Sequence, residues 1–127
     1  MSDGEFPSGP WTGFYTYQVL TAKYRTDLIL SFSHGQMTGE GLDNVGPFVI
    51  AGRYDPSSKE CYWTKSYVGA HDVAYTGFGE GKGIWGTWEI PDVHRGGFHI
   101  WPAGEAGEGE AAEAEAEAPV ELLRIGN

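Results

Sequence analysis

The chain has 127 residues, enough for one domain, with 20 glycines, an aromatic content of 14% and a formal net charge of -10. A domain of this length buries a core without disulfide or metal staples. The acidic balance argues against nucleic acid and anionic membrane surfaces as partners, because phosphate binding needs clustered Lys and Arg.

Residues 1–10 are rich in Gly, Pro and Ser and read as a flexible lead-in. The opening Met1-Ser2-Asp3-Gly4-Glu5-Phe6-Pro7 lacks the apolar run of a signal peptide, and no later run is long enough to span a bilayer as a helix. A cytoplasmic location is the resulting expectation. Helix signals are almost absent from the body of the chain. Period-two patterning predicts eight strands, over 11–18, 27–33, 36–42, 48–54, 61–67, 71–78, 83–90 and 97–101. Breakers such as His34-Gly35, Asp43-Asn44-Val45-Gly46-Pro47, Asp55-Pro56-Ser57-Ser58, Gly79-Glu80-Gly81-Lys82 and Pro91-Asp92-Val93-His94-Arg95-Gly96 separate them. Such short connections favour hairpins between sequence neighbours. The expected fold class is all-β: an eight-stranded antiparallel up-and-down barrel over 11–102, with a two-sheet sandwich as the rival. Gly39, Gly41, Gly52, Gly77 and Gly86 fall inside strands, where sharp bends or a crossing aromatic ring call for glycine.

The stretch 103–127 differs in kind. Glu105, Glu108, Glu110, Glu113, Glu115 and Glu117 alternate with Ala and Gly, a low-complexity acidic tail with nothing to bury. It ends in Pro119-Val120-Glu121-Leu122-Leu123-Arg124-Ile125, an apolar cluster that either folds back onto the body or serves another protein as a ligand.

Cys61 is the single cysteine, so no intrachain disulfide forms; beside Tyr62 and Trp63 it reads as a packed structural thiol. His34, His71, His94 and His99 lack the spacing of a zinc pair, although His94 and His99 would approach across a turn; no metal or other cofactor is expected. Residues 37–46 resemble neither a calcium loop nor a phosphate loop, and Asp43 and Asn44 suit turn bonds to the backbone. No catalytic arrangement can be argued from spacing.

One hairpin constrains the site. If Val68-Gly69-Ala70 form a three-residue loop, Tyr67 stands opposite His71, Lys65 opposite Val73 and Trp63 opposite Tyr75, all on one face. That face is the bulkier and more apolar, so it points inward; a two-residue loop would swap the faces. An inward Lys65 requires a polar pocket, a carboxylate partner or a place at the mouth from which it reaches water. Of the tryptophans, Trp85 and Trp88 point to opposite sides, and most of the five serve as core.

The segments Trp11-Thr12-Gly13-Phe14-Tyr15, Gln36-Met37-Thr38-Gly39 and Ile50-Ala51-Gly52-Arg53-Tyr54-Asp55 resemble parts of the avidin/streptavidin-like, calycin-type barrels, over roughly 11–101 in strand count and spacing. The resemblance implies a similar barrel. The family's biotin-contacting pattern is not matched: no Asn with a nearby Ser follows Trp11, and no aromatic hydroxyl follows Thr38-Gly39.

The resulting expectation is a non-catalytic barrel that binds a small polar-aromatic molecule or a protein segment. Lys65 and His71 would hold a polar or anionic group, Tyr67 and Tyr75 would stack on an apolar body, and Trp85 and Trp101 would serve as aromatic walls. Two alternatives stand beside it. One is a solid barrel acting through an exposed aromatic patch or the C-terminal segment. The other is a small isomerase or hydrolase pairing His71 with Asp72 or Glu40.

Overall fold

The computed structural model describes residues 6–18 and 22–104. Eight strands form one closed antiparallel barrel in which each strand pairs with its sequence neighbours and β8 returns to β1. They are β1 (Gly9–Tyr17), β2 (Lys23–Ser33), β3 (Gln36–Asp43), β4 (Pro47–Tyr54), β5 (Glu60–Tyr67), β6 (Asp72–Glu80), β7 (Gly83–Ile90) and β8 (His94–Pro102). The expected barrel is therefore the observed fold, and the sandwich is not. The acidic tail lies, from residue 105 on, outside the described residues.

Turn chemistry sets the register. His34 and Gly35 both adopt positive φ, 51° and 79°, as a two-residue hairpin turn requires, and they place Ser33 opposite Gln36. Gly81, at φ 64°, does the same between β6 and β7, placing Tyr75 opposite Trp88. The loop 68–70 has three residues, so Lys65 faces Val73 and Trp63 faces Tyr75, as the sequence pattern implies. Burial then alternates cleanly along β6, where Val73, Tyr75 and Gly77 are buried between exposed neighbours.

The two ends of the barrel differ. One end carries the turns at 34–35, 55–59 and 81–82, and Phe6 closes it. Its ring, 1% exposed, packs 5.5 Å from Phe32 and 5.1 Å from Tyr54. The entering chain is tied down: Trp11 Nε1 donates to the Pro7 carbonyl at 2.8 Å, and the Phe32 amide donates to Ser8 Oγ at 2.9 Å. Residues 6–10 of the expected lead-in are thus part of the barrel. Above this plug Trp63 stacks on Tyr75 at 5.2 Å, and Phe98 meets both edge-on. The middle is well packed: the void beneath Lys65 is about 10 Å³, no more than one water's worth. Burial of these rings contributes about 1.5–3 kcal/mol each to stability.

Candidate functional site

The opposite end carries the turns at 44–46, 68–71 and 91–93, and among the described residues no side chain plugs it. Just inside it lies a buried polar layer. Lys65 on β5 reaches across β4 to Asp43 at the end of β3, with Nζ donating to Oδ2 at 2.6 Å. Both side chains are sealed, at 3% and 0% exposure. Tyr67 Oη donates to the same carboxylate oxygen at 2.8 Å, and the Val45 amide donates to Oδ1 at 2.9 Å. Asp43 thus accepts a cation, a phenol and a backbone amide, enough to satisfy a desolvated carboxylate.

Four rings enclose the ammonium. Lys65 Nζ lies 4.4 Å from the Phe48 ring centre, 4.9 Å from Tyr15, 5.0 Å from Tyr67 and 5.3 Å from Tyr75. Their π faces supply negative potential that water supplies elsewhere. Gly41 makes room for one of them. A Cβ there would stand 2.5 Å from Phe48 Cζ and 2.3 Å from the Asp27 carbonyl, so only glycine lets Phe48 lie across β3. Burial still pushes the Lys65 pKa below its ordinary value, while the charge of Asp43 and the hydrogen bond to it pull the other way. The phenols of Tyr15, Tyr67 and Tyr75 are all pushed up, first by burial and then by the charge on Asp43, so each is a neutral donor.

Two of the three phenols have an acceptor for their proton. Tyr67 spends its proton on Asp43, and Tyr15 donates to Asn44 Oδ1. Tyr75 Oη instead accepts from Lys65 Nζ at 3.1 Å, which leaves its own proton to donate. An ammonium donating to a hydroxyl polarises it, so Tyr75 is a strengthened donor at the base of the open end.

Above this layer is a cup of about 310 Å³. Tyr15, Tyr67, Val73 and Tyr75 form its base, Tyr17, Trp88 and Ile90 one wall, and Val45, His71, Val93 and His94 its rim. The wall is a run of ring contacts: Tyr17 meets Trp88 edge-on at 5.1 Å and His94 at 5.4 Å. Trp88 Nε1 donates to the Thr16 carbonyl at 2.9 Å, which fixes the indole plane. The volume falls at the small end of the ~300–1,000 Å³ of ordinary ligand pockets, and the lining is mostly apolar with few directed polar groups, as such pockets are.

Of the residues singled out from sequence, Lys65, Tyr67, His71 and Tyr75 gather here. Lys65 lies under the floor. His71 is at the rim, exposed, its ring 5.2 Å from Tyr67. Trp85 and Trp101 are not brought to the cup. They point outward from β7 and β8, Trp85 at 40% exposure and Trp101 at 2%. His94 stands at the cup while His99 is on the outside wall, so the two do not meet; among the described residues no group of three or more His, Cys, Asp and Glu gathers. Asp72 and Glu40 point outward and are exposed, so neither meets His71. Cys61 is buried as a packed thiol. Asp43, Tyr15, Phe48, Tyr17 and Trp88 join the site without having been singled out from the sequence pattern. Period-two counting from the His34-Gly35 turn puts Asp43 on the inward face, the signal that finds it.

Fold and site together define a small closed antiparallel barrel, plugged by Phe6 at one end and, among the described residues, open at the other. No family model matches the chain, and neither does any curated protein or solved structure.

Proposed function

We propose that the barrel is a non-catalytic binding module that takes one small molecule into the cup at its open end. The observation that carries this reading is the asymmetry of the interior. Phe6 seals one end, while the other keeps about 310 Å³ open over a buried ion pair. Lys65 and Asp43 neutralise one another, so the floor selects an uncharged group. Tyr75, hydrogen-bonded by Lys65, offers that group a polarised donor. A carbonyl or similar acceptor on a flat, apolar body fits: the acceptor meets Tyr75 and the body lies against Tyr17, Trp88 and Ile90. The likeness to avidin-like barrels is proposed at the level of architecture, with a ligand other than biotin.

A thermal-shift screen of small uncharged aromatic carbonyl compounds tests this, since a ligand of the folded state raises the midpoint. Hits are expected to lose at least about tenfold in affinity, ~1.4 kcal/mol, in Tyr75→Phe, which keeps the ring and removes the donor. A set of hits indifferent to Tyr75→Phe and to Trp88→Leu would refute the cup as the binding site.

A further inference from the structure

Two polar atoms inside the barrel have no hydrogen-bond partner among the described residues: Thr26 Oγ1 on β2 and Trp63 Nε1 on β5. Their residues are 5% and 4% exposed, so bulk water does not reach them. In the closed sheet β3 and β4 stand between β2 and β5, so neither residue is a ladder neighbour of the other. Yet both line the void of about 10 Å³ beneath Lys65, and Lys65 lines it too. Lys65 Nζ commits two of its three protons, to Asp43 Oδ2 and Tyr75 Oη, which leaves one N–H over. Leu28, Ile50, Phe98 and Ile100, also in the lining, offer no polar side-chain atom. A buried hydroxyl or indole N–H without a partner costs free energy, and in native folds such groups almost always have one.

We propose that this void is the binding site of one structural water molecule, held by Trp63, Lys65 and Thr26. The size fits: a buried water needs at least ~10–15 Å³ of such volume and two to four polar partners. Donors and acceptors balance. Trp63 Nε1 and the third N–H of Lys65 can only donate, and together they fill the two lone pairs of the water oxygen. A water proton then goes to Thr26 Oγ1, the one acceptor of the three. That makes about three hydrogen bonds, the usual number for a buried water. An anion fits poorly, because Asp43 already neutralises Lys65 and a second negative charge would be buried without a counterion. A cation is repelled by the ammonium and finds no lone pair on the indole nitrogen. The water completes the coordination of Lys65 and ties β2 to β5 across the interior. It also joins the packed middle to the floor of the cup, since the same ammonium donates to Tyr75.

Two measurements on the full-length chain test this. A high-resolution crystal structure, with bromide in place of chloride in the crystals, is expected to show one density peak in the void. The peak should lie within about 2.7–3.2 Å of Trp63 Nε1, Lys65 Nζ and Thr26 Oγ1 and carry no bromine anomalous signal. Oxygen-17 relaxation dispersion counts long-lived waters in solution. Thr26→Val removes the acceptor and turns a methyl into the void, so it is expected to lower that count by one. Parental indole shifts of Trp11 and Trp88 report that the variant barrel is folded. A void without density, a bromide peak in it, or an unchanged count in folded Thr26→Val would overturn the proposal.

Discussion

Lys65 Nζ and Asp43 Oδ2 meet at 2.6 Å across the width of β4, both out of contact with water. A pair sealed in this way is a constraint on the floor more than a source of stability, because desolvation offsets most of the attraction. Removing one partner strands the other. Lys65→Met alone is expected to cost about 3–5 kcal/mol, whereas Lys65→Met with Asp43→Leu recovers most of the loss. Urea unfolding of the two variants measures both. A single variant as stable as the parent would contradict the geometry.

The buried phenols make the fold sensitive to alkali. Tyr15, Tyr67 and Tyr75 keep their protons when folded beyond the ordinary value of 10.0, at which the unfolded chain ionises. Above that pH the unfolded state binds fewer protons, so stability falls as pH rises. Lys65 acts in the opposite sense. Its folded pKa is lowered, so between that value and 10.5 the unfolded state binds more protons and stability rises. Three phenols against one amine leave a net loss above pH 10. Tyrosinate absorbance and circular dichroism followed together should show these phenols ionising only as the barrel unfolds. Their ionisation in the intact barrel would be the contrary result.

Cys61, at 0% exposure, has its thiol pushed up to about 12, first by burial and then by the charge of Glu60. It is expected to resist thiol reagents at pH 8 and to label at the rate of global opening. Its raised folded value means that the stability it contributes is present below the unfolded value near 9.0 and declines between there and about 12. Rapid native-state labelling is the outcome that conflicts with this burial.

Phe6 is expected to matter to stability and not to the cup. Phe6→Ala should cost about 3–5 kcal/mol, since the ring closes one end and collapse cannot refill it. Resonances of Val45, Ile90 and Val93 at the other end should stay in place. A loss below about 1 kcal/mol would mean that the plug is not part of the core.

The barrel is legible in the sequence because turn chemistry and strand period agree. The three-residue loop 68–70 alone puts Lys65, Tyr67 and Tyr75 on the inward face, and the structure pairs them so. The same counting through the Gly81-Lys82 turn sends Trp88 inward and Trp85 outward, which moves Trp85 from the pocket wall to the outer face. The Lys65–Asp43 contact is harder to see. It joins strands that are not paired to each other, and the distance depends on the curvature of the closed sheet, which a linear pattern does not carry. Phe6 sits outside any periodic run, so nothing in its neighbourhood marks it as core.

Methyl and indole shift mapping on the labelled full-length chain, titrated with hits from the carbonyl-bearing aromatic set, bears most directly on the binding cup. The expected result is perturbations confined to Val45, Val73, Ile90, Val93 and the Trp88 indole, with Trp85 and Trp101 unmoved. Perturbations centred on Trp85 and Trp101, with the cup silent, would contradict binding there.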